Sequence, residues 1–242
     1  MVTDQVTGLA WRKQADGVGR TWLEAVDYAA TLEAGWRLPT KKELQTLLDY
    51  GDSPSAACID TSFFPMAADA PLTLWSATTE GFLSKDAWTV CFGNCQVNNV
   101  SKDDLNGLLP VRGRVLEFAR FKDNGDNTVT DLSTGLMWYQ RETSAMNWKG
   151  ALVFCERLET AGHTDWRLPS IKELQTIVDD ERRNPTLDIL YFPGCRPFIY
   201  WSSTTNAQHP EFAWYTRFDD GRVYGSGLKT HEYYVRAVRT VY

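Results

Sequence analysis

"GWRLPTKKELQTLLD" spans residues 35–49 and "DWRLPSIKELQTIVD" spans residues 165–179, and ten of the fifteen positions are identical. A phrase spelled twice in one chain is expected of a structural unit copied with its domain; a catalytic motif seldom needs a second copy. Its local chemistry is readable. Proline keeps the residue before it out of the helical region, so Leu38 and Leu168 are expected to be extended. Thr40 and Ser170 are then spaced to cap a helix, with Glu43 and Glu173 three positions on completing a capping box. Leu44, Leu47 and Leu48 in one copy, and Leu174, Ile177 and Val178 in the other, form the apolar stripe of that helix.

The duplication extends outward in the same order. "VTDQVTGLAW" (2–11) answers "VTDLSTGLMW" (129–138), "IDTSFFP" (59–65) answers "LDILYFP" (187–193), "LWSATT" (74–79) answers "YWSSTT" (200–205), and "AWTVCF" (87–92) answers "AWYTRF" (213–218). Matching residues stay 126 to 130 apart, which is the size of a whole domain and far above the period of a solenoid or propeller. Two tandem domains, 1–116 and 117–242, are therefore expected. Ahead of each repeated phrase lies an amphipathic helix, with Trp22, Ala25, Val26, Ala29 and Leu32 on one stripe and Trp148, Ala151, Leu152, Cys155 and Leu158 on the other. Behind it the pattern changes to short aromatic and β-branched segments with turn signals at Gly93-Asn94 and Asp219-Asp220-Gly221, which read as antiparallel strands. The fold class is α+β, with two helices and a small antiparallel sheet in each domain. "FARFKDNGDNTVTD" (118–131) reads as a hairpin turning at Asn124–Asn127. Its first arm has no counterpart before Val2, so the N-terminal edge of the first domain is expected to be trimmed.

With 43% apolar and 13% aromatic residues, each half can bury its own core. The net charge is −6 and no Lys/Arg cluster tracks a phosphate backbone, which argues against nucleic acid as a partner. No apolar run reaches the length of a membrane span, so no membrane insertion is expected. The Asx and Gly residues of 123–131 read as a turn; the acidic spacing and distal Glu of a calcium loop are missing, and no metal or cofactor is expected.

The ordered set TGLxW, WRLP[TS]xKEL, FP, WS[AS]TT, AW and a terminal Val-Arg resembles the Lcl C-terminal domain family (Legionella collagen-like), twice over nearly the whole chain. That family is similar in fold to C-type lectins. The resemblance implies two tandem lectin-like modules of a non-catalytic bacterial protein that is secreted, periplasmic or on the cell surface, with the cytoplasm as the alternative. The implied role is adhesion or recognition of a glycan or protein. The Glu-Pro-Asn, Gln-Pro-Asp and Trp-Asn-Asp triplets of calcium-dependent sugar binders are absent. A structural or assembly module without a small ligand is one alternative. An oxidase-like enzyme of the formylglycine-generating type, similar in fold and dependent on converging reactive thiols, is the other.

The two copies diverge most in the loops after the Trp-Ser strand, where lectin-like folds bind. In the second copy these loops offer Asn206, His209, Tyr215, Arg217, Arg222, Tyr224 and His231 as ligand-binding candidates, a mixture of aromatic faces and fixed donors. Trp36 and Trp166 are expected to be buried equivalents. Arg37 and Arg167 are expected to hold structural ion pairs, with Asp49 and Asp179 as suggested partners; Arg112 and Arg236, in the terminal Val-Arg of each copy, are read the same way. Of the five cysteines, Cys91 and Cys95 flank a turn and are expected to form a disulfide, while Cys155 is a buried thiol on a helix stripe.

Overall fold

The computed structural model describes residues 1–32, 35–51, 57–65, 71–81 and 85–241. The chain divides into two compact units, Met1–Leu116 and Glu117–Tyr242. The first carries, in order, β1 (Val2–Thr3), β2 (Ala10–Trp11), α1 (Trp22–Thr31), α2 (Lys41–Thr46), β3 (Thr73–Thr79), β4 (Asp86–Cys91), β5 (Val97–Ser101) and β6 (Val111–Arg112). The second carries β7 (Phe121–Asp123), β8 (Thr128–Asp131), β9 (Leu136–Tyr139), α3 (Trp148–Glu156), α4 (Ile171–Thr176), β10 (Ile199–Thr205), β11 (Phe212–Arg217), β12 (Val223–Leu228) and β13 (Val238–Thr240). In each unit a meander of antiparallel strands (β3–β4–β5; β10–β11–β12) accompanies a second small antiparallel sheet, β1–β2–β6 in the first and β13–β9–β8–β7 in the second. Strand β7, which pairs with β8 around the 124–127 turn, has no counterpart among the described residues of the first unit. Asp123 and Asp126 accept backbone hydrogen bonds from Gly125 and Thr128 within that turn.

Both capping boxes of the repeated phrase form. Thr40 accepts from the backbone of Glu43 and Ser170 from that of Glu173, while each Glu carboxylate accepts from its cap residue's N–H. The helices they open are short, six residues each, and the apolar stripe continues past their ends, with Leu48, Ile177 and Val178 fully buried. Helices α1 and α3 are capped by Thr21 and Asn147, each through its side chain.

The repeated words correspond to repeated hydrogen bonds. The indole N–H of Trp22 donates to Ser76 O (2.9 Å) and that of Trp148 to Ser202 O (2.8 Å), tying α1 and α3 to the Trp-Ser strands. Trp75 and Trp201 donate to Arg20 O and Met146 O, just ahead of those helices. The Ser76 and Ser202 hydroxyls donate across to Trp88 O and Trp214 O. Buried polar atoms are thereby satisfied in the same way twice, which accounts for the identity of residues whose role is otherwise only to be buried.

Neighbouring residues on β10 pack into different clusters, as the period of a strand requires. Trp201 joins Ala151, Cys155, Trp166, Val235 and Ala237 under α3, whereas Tyr200 joins Leu174, Ile177, Phe192, Phe218 and Val238 under α4. In the first unit Trp75 joins Ala25, Ala29, Leu38, Ala87 and Leu108 under α1.

Three expectations are corrected. The disulfide joins Cys58 to Cys95, and Cys91 is free and partly exposed. Cys91 N–H donates to Gln96 O, so its cross-strand neighbour is residue 96; Cys95 sits inside the turn with φ 57°, its sulfur 3.7 Å from Asp49 O. Cys58 lies beside the same turn, its N–H donating to Phe92 O, and the two Cα atoms are 5.5 Å apart. Secondly, Trp166 is 2% exposed while Trp36 is only half-buried, with the guanidinium carbons of Arg12 and Arg112 over its ring at 5.7 and 5.3 Å. Arg112 therefore stacks on an indole where an ion pair was expected. Thirdly, strand register makes Arg239 the counterpart of Arg112, since Val111 bridges Arg37 and Val238 bridges Arg167; Leu109 stands where the second copy has Arg236.

Candidate functional site

Arg37 and Arg167 hold structural ion pairs, with Glu43 and Glu173 as the partners in place of Asp49 and Asp179. Each guanidinium grips its carboxylate with two parallel hydrogen bonds, at 2.7 and 2.7 Å in the first copy and 2.7 and 2.6 Å in the second. Burial pushes both carboxyls up, but the arginine and the cap N–H groups outweigh it and hold both below the ordinary glutamate value. Asp49 and Asp179 instead receive backbone hydrogen bonds from residues two positions on.

Arg236 is completely buried. One of its terminal nitrogens donates to the carbonyls of Tyr139, Gln140 and Arg141, and the other faces Glu142 at 3.5 Å. Glu142 also accepts from the Tyr200 hydroxyl (2.8 Å) and from Arg196 N–H (3.1 Å), and the Cys195 sulfur lies 3.6 Å from that hydroxyl. Burial raises both the Tyr200 hydroxyl and the Cys195 thiol above their usual values. The arrangement gives both charges partners, leaving only Arg236 Nε without one, and it fastens the 139–142 segment to the residues that lead into β13. Cys155 is buried in the same α3 cluster as Ala237, and burial pushes its thiol up to about 12.

The second-copy loop candidates fall into two groups. Tyr215 and Tyr224 are cross-strand partners with ring centroids 5.6 Å apart, and both are partly exposed. Arg217, at the end of the same strand, pairs with Asp219 and faces Asp220 at 3.6 Å, while Arg222 faces Asp220 at 3.7 Å. His231 is exposed and reaches the same surface through Tyr233, whose hydroxyl lies 3.3 Å from its Nδ1. Asn206 and His209 belong to the β10–β11 turn. There Asn206 donates to Gly225 O and accepts from Gln208 and His209 N–H, and the exposed His209 lies 3.7 Å from Glu211.

Tyr233 was missed by sequence reasoning because it sits in "EYYVRAVR", which reads as a core strand. Its ring lies 4.3 Å from that of Trp201 and 5.5 Å from that of Tyr215, which makes it the middle of an aromatic row Tyr224–Tyr215–Tyr233–His231. Partial burial raises the hydroxyls of Tyr215 and Tyr233 above the usual tyrosine range, so both are neutral donors near neutral pH. Comparison of the two copies would have found it. By strand register, Trp75–Thr89–Asn98 in the first copy matches Trp201–Tyr215–Tyr224 in the second, and Asn106, bridged to Arg20, matches Tyr233, bridged to Met146. Three tyrosines thus stand where the same scaffold elsewhere carries Thr and Asn. Gly227 lets them pack closely, since a Cβ there would lie 2.6 Å from the Trp201 ring and 2.8 Å from Tyr215.

Among the described residues no helix is long and apolar enough to cross a membrane. No curated protein matches the chain. The duplicated hydrogen bonds, caps and ion pairs are those of one domain present twice, and the domain model that matches does so over residues 1–112 and again over 127–239: the chain belongs to the Lcl C-terminal domain family and carries two tandem copies of it.

Proposed function

We propose that the protein is a non-catalytic, exported recognition module whose second copy binds a glycan or a protein epitope through the row Tyr224–Tyr215–Tyr233–His231, edged by Arg217 and Arg222. The observation that carries this reading is the replacement of Thr89, Asn98 and Asn106 of the first copy by three partly exposed tyrosines at matching positions. The scaffold folds without them, so their aromatic surface is available for a task other than folding. Aromatic faces with a polar tip suit both sugar rings and protein surfaces, because they add large contact area at little conformational cost. The 217–222 ion cluster presets charged groups at one end of the row.

Export is supported by the Cys58–Cys95 bridge, a chemistry of oxidising compartments. The non-catalytic reading draws support from two of the three free thiols: Cys155 and Cys195 are buried with raised pKa, the reverse of an activated nucleophile, which leaves the partly exposed Cys91 without a second thiol to converge with. The test is to screen the full chain on glycan and extracellular-matrix protein arrays beside the variant Tyr215→Thr/Tyr224→Asn/Tyr233→Asn, which installs the first copy's residues. Specific binding weakened at least tenfold in the variant supports the reading. Binding that survives unchanged moves the site elsewhere.

A further inference from the structure

Trp36 and Trp166 follow the same phrase, yet their surroundings differ in one respect that bears on binding. In the second copy Arg239 is buried, and its Nε and Nη2 meet Asp165 Oδ1 and Oδ2 at 2.7 and 3.1 Å. Asp165 is the residue immediately before Trp166. In the first copy Arg112 is the counterpart of Arg239, and the residue immediately before Trp36 is Gly35. The carboxylate is gone and the cation remains. A second cation is added: Arg12 replaces Tyr139, the two being matched by Arg12 N–H donating to Pro110 O and Tyr139 N–H to Ala237 O, both at 3.0 Å. Both guanidinium groups lie over the half-buried Trp36 ring and are themselves partly exposed. Among the described residues neither makes an ion pair. Lys13, next to Arg12 in sequence, is exposed and adds a further positive charge in a chain whose net charge is −6.

We propose that Arg12, Trp36 and Arg112 form a receptor for a carboxylate presented by an acidic polypeptide segment, which docks where Asp165 sits in the second copy. The second copy shows what this position accepts: a planar carboxylate held by two parallel hydrogen bonds, carried on a peptide backbone beside a tryptophan. A guanidinium fork matches that plane. Trp36 supplies the apolar floor and orients both guanidinium groups by cation–π attraction. This site is in the other copy from the tyrosine row, and it stands or falls separately.

The probe is acetyl-Gly-Asp-Gly-amide, titrated into the ¹⁵N-labelled full chain while the indole N–H resonance of Trp36 is followed; assignment comes from Trp36→Phe. A saturable shift with the Asp peptide, absent with acetyl-Gly-Asn-Gly-amide and weakened at least tenfold in Arg112→Gln and in Arg12→Gln, is the expected result. Arg112→Lys keeps the charge without the fork and should weaken binding while leaving the other resonances in place, which separates lost recognition from lost folding. In the second copy, Asp165→Gly should create a matching response at the Trp166 indole. An unmoved Trp36 resonance, or equal responses to the Asp and Asn peptides, overturns the proposal. So does an equal response to sulfate, which marks an unselective basic patch, and tighter binding of glucuronate than of the peptide, which makes the ligand a uronic sugar.

Discussion

Replacing Cys58 and Cys95 together by Ala tests what the bridge contributes to the first copy. The bond closes a loop of 37 residues. Loop-closure entropy for that length is about 13 cal/mol/K, or about 4 kcal/mol at 25 °C, lost when the cross-link no longer restrains the unfolded chain. For a unit of this size the same loss lowers the thermal midpoint by roughly 15 °C. The second copy shows that the fold survives without a bridge. Thr186, the counterpart of Cys58, donates its N–H to Phe218 O at 2.7 Å just as Cys58 donates to Phe92 O at 2.6 Å, and Asp179 N–H donates to Thr186 O as Asp49 N–H does to Cys58 O. The variant is therefore expected to fold and to be markedly less stable. Hydrogen exchange read by mass spectrometry provides the assay. The slowest amides of β4 and β5 should exchange about a thousandfold faster, each tenfold being about 1.4 kcal/mol, while amides of β10 and β11 serve as the control. A loss below about 1 kcal/mol would refute the reasoning, because it would mean that the hydrogen bonds alone hold Cys58 in place as they hold Thr186.

Native alkylation should label Cys91 first, and Cys155 and Cys195 only on unfolding, so that denatured, non-reduced protein titrates three thiols; five would remove the bridge. Glu43 and Glu173 have folded pKa values below the ordinary value, so their contribution is complete above the unfolded glutamate pKa and is lost as pH falls through the lower folded one. Stability should thus decline below about pH 4.5, and Glu43→Gln should flatten that decline in urea titrations run from pH 7 to pH 3. Arg236→Met strips Glu142 of its buried cation and leaves three carbonyls without their donor, which should cost about 3–5 kcal/mol by chemical denaturation; a loss under about 1 kcal/mol would show that these contacts do not hold the 139–142 segment.

What could be read in the sequence was what is settled within a few residues. Thr40 with Glu43 and Ser170 with Glu173 each commit to a cap by spacing alone, and the structure has both boxes. The meander strands were legible because their alternation is local too. Register across distant strands was not. Cys95 looked like the partner of Cys91 because they are four apart, yet the hairpin pairs 91 with 96 and turns Cys95 toward a segment 37 residues away. Arg112 looked like the equivalent of Arg236 through the shared Val-Arg, and only the bridges to Arg37 and Arg167 show that it answers Arg239. The ligand-binding candidates were chosen by divergence between loops, which gathered Tyr215 and Tyr224 of the aromatic row together with Asn206, whose side chain is occupied by its own turn and by Gly225 O of β12.

Two hydrogen bonds in each copy join two of the repeated phrases. The hydroxyl of Thr78, in "WSATT", accepts the N–H of Lys41 at 3.0 Å, and Thr204, in "WSSTT", accepts that of Ile171 at the same distance, while Ala77 and Ser203 donate to the carbonyls of Pro39 and Pro169 at 2.7 Å. The free N–H at the start of the short helix is thus capped from a strand more than thirty residues away. The two phrases are therefore one inherited character. A substitution at Thr78 or Thr204 changes which residues the helix start tolerates, so the fitness of a change in either phrase depends on the state of the other. A double-mutant cycle between Thr204 and Ser170 should therefore be non-additive.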